Sequence, residues 1–233
     1  MSADPRPVLS HGLIQVAGIR DEAEAALLVG CGVRFLGFPL RLPVHREDLT
    51  EGEAAAIVRG LHPPARAVLI TYLGEAEAVA AFCAALGVRT VQLHGEIATR
   101  ELRRLREVDP ELTVVKSLVV GLHPVKTLER MVGEMTPFVD GFITDTYLPE
   151  TGASGATGRT HDWSVSRRLI ELSGRPVILA GGLTPGNVRR AILEVGPAGV
   201  DVHTGVEDAT GRKSREKVAA FVAEAEAGFS GRS

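Results

Sequence analysis

Leu179-Ala180-Gly181-Gly182-Leu183-Thr184-Pro185-Gly186-Asn187-Val188 decides how the chain folds. A short apolar run, Val177–Ala180, enters it, two glycines turn it, and an amphipathic stretch, Pro185–Val195, leaves it. That is a strand, a tight glycine turn and a helix. The same order recurs on both sides. Downstream, Gly199–Val202 precedes Arg212–Ala227. Upstream, the apolar runs are Leu13–Ala17, Val33–Phe38, Ala67–Thr71, Val88–Leu93, Leu112–Lys116 and Val139–Thr144. The helical stretches that follow them are Asp21–Cys31, Glu51–Gly60, Glu75–Leu86, Ile97–Val108, Pro124–Met135 and Ser164–Leu172. The apolar runs do not alternate with polar residues, as expected of strands buried on both faces. Leu102, Leu105 and Val108 share one helical face, while Arg103, Arg104 and Glu107 fall elsewhere. Thr50 with Glu53 predicts a capping box, and Gly87 closes the third helix. Eight such units without a linker predict an α/β fold, a single (β/α)8 TIM barrel over residues 1–233. Residues 1–11 are expected to be an N-terminal extension and 228–233 a C-terminal tail. An open doubly wound sheet is the competing arrangement.

Composition is compatible with this and narrows the function. Of 233 residues, 45% are hydrophobic and 24% charged, enough for a large core and a polar surface. The net charge is −3, and only seven Phe, two Tyr and one Trp are present. No basic stripe interleaved with aromatics occurs, so nucleic acid is a poor partner. Cys31 and Cys83 lie in Ala- and Leu-rich stretches, outside any metal-ligand spacing, and are expected to be reduced core residues. The N-terminus shows no signal-peptide pattern, and no apolar run reaches the roughly 20 residues of a membrane span. A cytoplasmic enzyme with no membrane partner is expected, as monomer or homodimer.

In such barrels the loops after the strands build the site. Gly181, Gly182 and Thr184 follow the seventh run; His203, Thr204 and Gly205 follow the eighth. Glycines let backbone N–H groups approach phosphate oxygens, and a short helix after the eighth strand would add a partial positive charge. A phosphorylated small molecule is therefore the expected ligand; plain tight turns are the alternative. Asp145 ends an apolar strand, where reduced polarity raises a carboxyl pKa towards general-acid use. Its alternative is a structural Asp bonded to backbone N–H groups. The stretch Thr146–Arg159 carries Gly152, Gly155 and Gly158 and has the length of a lid, or of a surface insertion. His94 and Lys116 are expected on the same rim. Arg41 and Arg46 lie in the second loop, where an Arg suits a carboxylate.

Taken together, these segments resemble the phosphoribosylanthranilate isomerase family of tryptophan synthesis. The resemblance runs from about Ile14 to Phe221. Its motifs are Val91-Gln92-Leu93-His94-Gly95-Glu96, Asp145 with Gly155–Trp163, the Leu179–Val188 stretch, and Gly199-Val200-Asp201-Val202-His203-Thr204-Gly205-Val206-Glu207. It implies an Amadori-type isomerisation of a phosphoribosyl amine, with no cofactor and no metal. Asp145 matches the family's general acid. Gly181, Gly182, Thr204 and Gly205 match its phosphate site. Arg46 matches the arginine that meets the anthranilate carboxylate, and Gln92 falls in a substrate-binding motif. The family's first strand carries a Cys as general base, where this chain has Ala17. His203 stands where the family has Ser, and His161 where it has an aromatic residue. His94, His203 or a water are the candidates for the missing base, which makes the catalytic set Asp145, His94 and His203. Two further readings remain open. One is a divergent isomerase or lyase acting on another phosphorylated small molecule. The other is a catalytically silent phosphate-ligand-binding barrel.

Overall fold

A computed structural model of the chain describes residue 9 and residues 11–43, 47–148, 153–154 and 160–231. Its strands are β1 (Leu13–Ala17), β2 (Phe35–Pro39), β3 (Arg66–Thr71), β4 (Thr90–Leu93), β5 (Thr113–Val120), β6 (Gly141–Leu148), β7 (Ala153–Ser154), β8 (Val177–Leu179) and β9 (Gly199–Val202). The helices are α1 (Glu22–Gly30), α2 (Glu51–Gly60), α3 (Ala76–Leu86), α4 (Thr99–Val108), α5 (Val125–Met135), α6 (Trp163–Leu172), α7 (Val188–Val195) and α8 (Arg215–Ser230). All strands but β7 pair in parallel, in the order β5-β4-β3-β2-β1-β9-β8-β6, and β5 pairs with β6 to close the ring. Eight parallel strands, each followed by a helix, form a closed (β/α)8 barrel; β7 is a short antiparallel addition to the end of β6.

Local chemistry explains the helix boundaries. The capping box forms: Thr50 accepts from the Glu53 N–H, and Glu53 accepts from the Thr50 N–H. Asp21 and Ser214 cap α1 and α8 singly, each side chain accepting from the N–H three residues on. Gly87 and Gly196 end α3 and α7 in the left-handed conformation that glycine adopts without steric cost.

Two apolar layers hold the barrel. The larger lies between strands and helices and takes every second strand residue, such as Val91, Leu93, Val114, Leu118, Val200 and Val202. The smaller fills the lumen: Leu13, Phe35, Val68, Val115, Ile143 and Ile178 among them. Leu9 joins this inner cluster, and the His11 ring meets Phe229 edge-on at 5.2 Å, so part of the expected extension packs on the barrel. At the other terminus the expected tail is a correction. Helix α8 runs to Ser230, and Gly228 and Phe229 are buried because Gly228 packs against Ile192 of α7.

Two strand ends also differ from expectation. β5 continues four residues past Lys116, to Val120, and β6 continues past Asp145 to Leu148. Polar residues do not stop a strand when its neighbour continues the hydrogen-bond ladder, and β5 and β6 stay in register as far as Val120 and Thr146. The first part of the expected lid, Thr146–Leu148, is therefore strand. Residues 149–152 and 155–159 lie outside the described residues, as do Gly152, Gly155 and Gly158.

Candidate active site

Strand alternation decides which polar residues face the lumen. On β1, Gln15 shares a face with Leu13 and Ala17; on β4, Gln92 faces the opposite way from Val91 and Leu93. On β5, Ser117 follows Val115 inward. Asp145 follows Ile143 inward on β6, and Asp201 lies between Val200 and Val202, which face outward. Gln15, Gln92, Ser117, Asp145 and Asp201 are all buried.

These groups form a polar belt. The Gln92 Nε2 donates to Ser117 Oγ at 3.4 Å, and the Gln15 Nε2 donates to Gln92 Oε1 at 3.0 Å. The Gln15 amide also faces the Asp201 carboxylate and acts to lower its pKa. His94 lies at the end of β4, its Nδ1 3.0 Å from Ser117 Oγ and its ring 5.0 Å from that of Tyr72. The belt thus runs from His94 across the lumen to Asp201, and it joins β1 to β4, strands that are not neighbours in the sheet.

Asp145 and Asp201 stand close in this layer. Thr144 pairs with Leu179, and Leu179 with Val200. One step on, Asp145, Ala180 and Asp201 lie side by side, with Ala180 on the strand between the two aspartates. Burial pushes Asp145 up to about 7, opposed only by the hydrogen bond from the Thr146 N–H at 2.7 Å. Burial first, then the charge of Asp145, pushes Asp201 to about 7; Gln15 and Lys213 act against the rise. Asp201 Oδ1 is buried with no hydrogen-bond partner. Sequence reading missed Asp201 as a site residue. The signal was its parity with His203, which places it on the lumen face once the ring is closed.

The glycine loops adjoin this pair. Gly181 and Gly182 both have positive φ, 90° and 63°. Asn187 staples their loop by accepting from the Thr184 N–H at 2.8 Å and donating to the Gly182 carbonyl at 3.0 Å. Thr204 and Gly205 open a 3-10 turn, Thr204–Val206. A Cβ on Gly205 would collide with the Leu183 carbonyl oxygen, so the two loops touch backbone to backbone. The eighth loop is fixed by Lys213, whose Nζ donates to the His203 carbonyl at 3.2 Å and to Glu207 Oε1 at 2.7 Å.

His203 lies over the end of β1. A Cβ on Gly18 would fall within its imidazole ring, and its Nε2 is 3.4 Å from Glu207 Oε1. His161 occupies a different place, behind β6. Its Nδ1 is 3.0 Å from Thr146 Oγ1 and its Nε2 is 2.5 Å from Ser166 Oγ, and burial lowers its pKa to about 4, so it is neutral.

Other expected residues lie elsewhere. Lys116 is not at the rim. It faces the helix layer with Val114 and Leu118, fully buried, and donates to the Leu93 and Ser117 carbonyls at 3.2 and 2.8 Å. Burial lowers its pKa to about 8. Arg41 is held by Glu51 at 2.8 Å and stacks 3.8 Å from the Phe82 centroid. Arg46 lies outside the described residues. Both cysteines are free; the buried Cys83 thiol is pushed up to about 12 and is inert as a nucleophile at neutral pH. Among the described residues, no helix is long and apolar enough to cross a membrane.

Such a site can donate one proton, accept another and hold an anion on backbone N–H groups. Comparison with known proteins points the same way. Residues 46–224 match the family model for N-(5'-phosphoribosyl)anthranilate isomerase; the match begins after β1. The N-(5'-phosphoribosyl)anthranilate isomerase 2 of Methanosarcina mazei is 36% identical over 221 residues, covering 93% of this chain and 95% of that one. The phosphoribosylanthranilate isomerase of Thermotoga maritima superposes with a TM-score of 0.77 at 29% identity, covering 92% of this chain and 98% of that one. A phosphoribosylanthranilate isomerase in complex with reduced 1-(o-carboxyphenylamino)-1-deoxyribulose 5-phosphate gives 0.75 at 27% identity, with the same coverage.

Proposed function

This chain belongs to the N-(5'-phosphoribosyl)anthranilate isomerase family, and on that premise we propose that it isomerises N-(5'-phosphoribosyl)anthranilate to the corresponding aminoketone. The observation that supports this most directly is Asp145, a buried lumenal carboxyl whose pKa is raised to about 7 beside two glycine loops. A carboxyl near neutrality is matched to general-acid work at neutral pH.

The substrate phosphate sits on the backbone N–H groups around Gly181, Gly182, Thr204 and Gly205, with His203 beside it as a further donor. The anthranilate end lies towards the second loop, where Arg46 meets its carboxylate. Gln92 and His94, at the far end of the polar belt, orient the sugar hydroxyls. Asp145 gives its proton to the ribose ring oxygen as the C1′–O bond breaks. The anthranilate nitrogen donates its lone pair to C1′ and a Schiff base forms. Loss of the C2′ proton then carries the double bond to C1′–C2′, and the enolamine becomes the ketone. The enzyme works in the cytoplasm, as a monomer or homodimer.

The test is turnover of N-(5'-phosphoribosyl)anthranilate by the purified protein and by Asp145→Asn. Wild-type turnover that falls by about 10²–10⁴ in the variant supports the reading. A folded wild type without turnover rejects it. A second reading, a related phosphorylated substrate, is favoured by Ala17 and by the His203 ring over Gly18, both at the end of β1. It predicts that the reduced ketose analogue binds while the anthranilyl substrate is not consumed.

A further inference from the structure

The family's base on the first strand is replaced by Ala17, which is buried and carries no ionisable group. The geometry points to Asp201 as the proton acceptor of this enzyme, working across Ala180 from Asp145. This rests on the isomerase reading above.

Three observations carry it. Asp201 and Asp145 occupy one layer of the lumen with a single alanine strand between them. Adjacent strands are about 4.8 Å apart, so the two Cα atoms are roughly 10 Å apart, on either side of Ala180. Second, Asp201 Oδ1 is buried and unpartnered, whereas its neighbours in the belt are hydrogen-bonded to one another. A buried carboxylate oxygen without a hydrogen-bond partner is costly unless something uses it. Third, Asp201 pairs in register with Gln15, two residues before Ala17 on the same face of β1. It is thus the ionisable group one layer below the vacated position. His203 is set at the upper rim against Gly18 and Glu207, and His94 Nδ1 is bonded to Ser117.

The protons balance. Asp145 passes its proton to the ring oxygen, and the Asp201 carboxylate takes the C2′ proton while the C–H pair becomes the C1′–C2′ double bond. Ketonisation adds a proton to C1′ and releases the C2′ hydroxyl proton. Exchange with solvent then returns Asp145 to its acid and Asp201 to its carboxylate. The reactive form is the singly protonated pair. Two like charges in one buried layer resist ionising together, which keeps that form populated. The charged groups acting on Asp201 are Asp145 of β6 and Lys213 ahead of α8; β1 presents the neutral Gln15.

The experiment is the pH profile of kcat/KM with N-(5'-phosphoribosyl)anthranilate for wild type, Asp201→Asn and Asp145→Asn, with binding of the reduced ketose analogue as the control for folding. Wild type is expected to peak near pH 7. Asp201→Asn should lose about 10²–10⁴ of kcat and the acidic limb, still bind the analogue, and leave Asp201→Ala open to partial rescue by formate. Asp201→Asn within about threefold of wild type, with both limbs intact, overturns the assignment and leaves the isomerase reading standing. A folded wild type without turnover overturns both. Should Asp201→Asn not fold, a wild-type profile with no acidic limb overturns the assignment by itself.

Discussion

The loops after β8 and β9 and the end of β1 are neighbours in space, but they are built from different materials. On the proposed reading the loops hold the phosphate with backbone N–H groups, and the only side chain they tolerate at Gly205 is none, because the Leu183 carbonyl occupies the space. The β1 end works through side chains, and there Ala17 and His203 depart from the family pattern while the barrel stays closed. A backbone-built subsite constrains residue type through sterics. A side-chain subsite constrains only what can reach the reacting atom, so a group on the next strand can serve it.

The largest test of this contrast removes the proposed acid. Asp145→Asn keeps shape and hydrogen bonding but cannot protonate the ring oxygen. A loss of about 10²–10⁴ in kcat with analogue binding little changed is expected from steady-state kinetics and calorimetry. Next comes the backbone side. Gly205→Ala forces a methyl into the Leu183 carbonyl, and overpacking of this kind costs about 1–3 kcal/mol, to be seen as a lower Tm and weaker analogue affinity. If Gly205→Ala is silent, the loops are not in backbone contact in solution. On the side-chain side, His203→Ser removes one imidazole donor beside the proposed phosphate position, so affinity should drop about two- to tenfold and the fold should be unaffected. The smallest change is expected of Ala17→Cys. If Asp201 already accepts the proton, kcat should move by less than about tenfold. A much larger gain would show that the first strand still governs the base.

Stability against pH sharpens the same picture. Asp145 and Asp201 have folded pKa values near 7, above the ordinary 3.8. Between these values the folded state binds more protons than the unfolded chain, so their contribution to stability is full below about pH 4 and is lost as pH rises through about 7. Asp201→Asn should therefore raise Tm relative to wild type at pH 8 more than at pH 5, as followed by circular dichroism. An equal shift at both would mean the carboxyl is solvated rather than buried.

Much of the barrel is legible in the sequence, for stated reasons. Thr50 and Glu53 are three residues apart and form their capping box without help from the rest of the molecule. Short apolar runs alternate with amphipathic stretches, and each becomes a strand or helix within a few residues of its expected limits. The burial of Asp145 was legible through its apolar approach, and the glycine turns after β8 and β9 through their residues. The limits of β5 and β6 were not, because each strand is prolonged by its partner's hydrogen bonds rather than by its own residues. Lys116 was placed on the rim for the same reason: the last apolar residue of a run is not the last residue of a strand.

The sequence alone therefore determined the order of the elements, the caps, the glycine turns and the family. These depend on residues near one another in the chain, or on steric demands that only certain residue types meet. Tertiary structure alone decided which polar residues share the lumen. Gln15 meets Gln92 only when the sheet curls so that β1 and β4 face each other across the lumen, and Asp201 comes beside Asp145 only when β8 sets the register between β6 and β9. Strands buried on both faces hide their parity in the sequence, because both faces are apolar until the ring distinguishes lumen from helix layer.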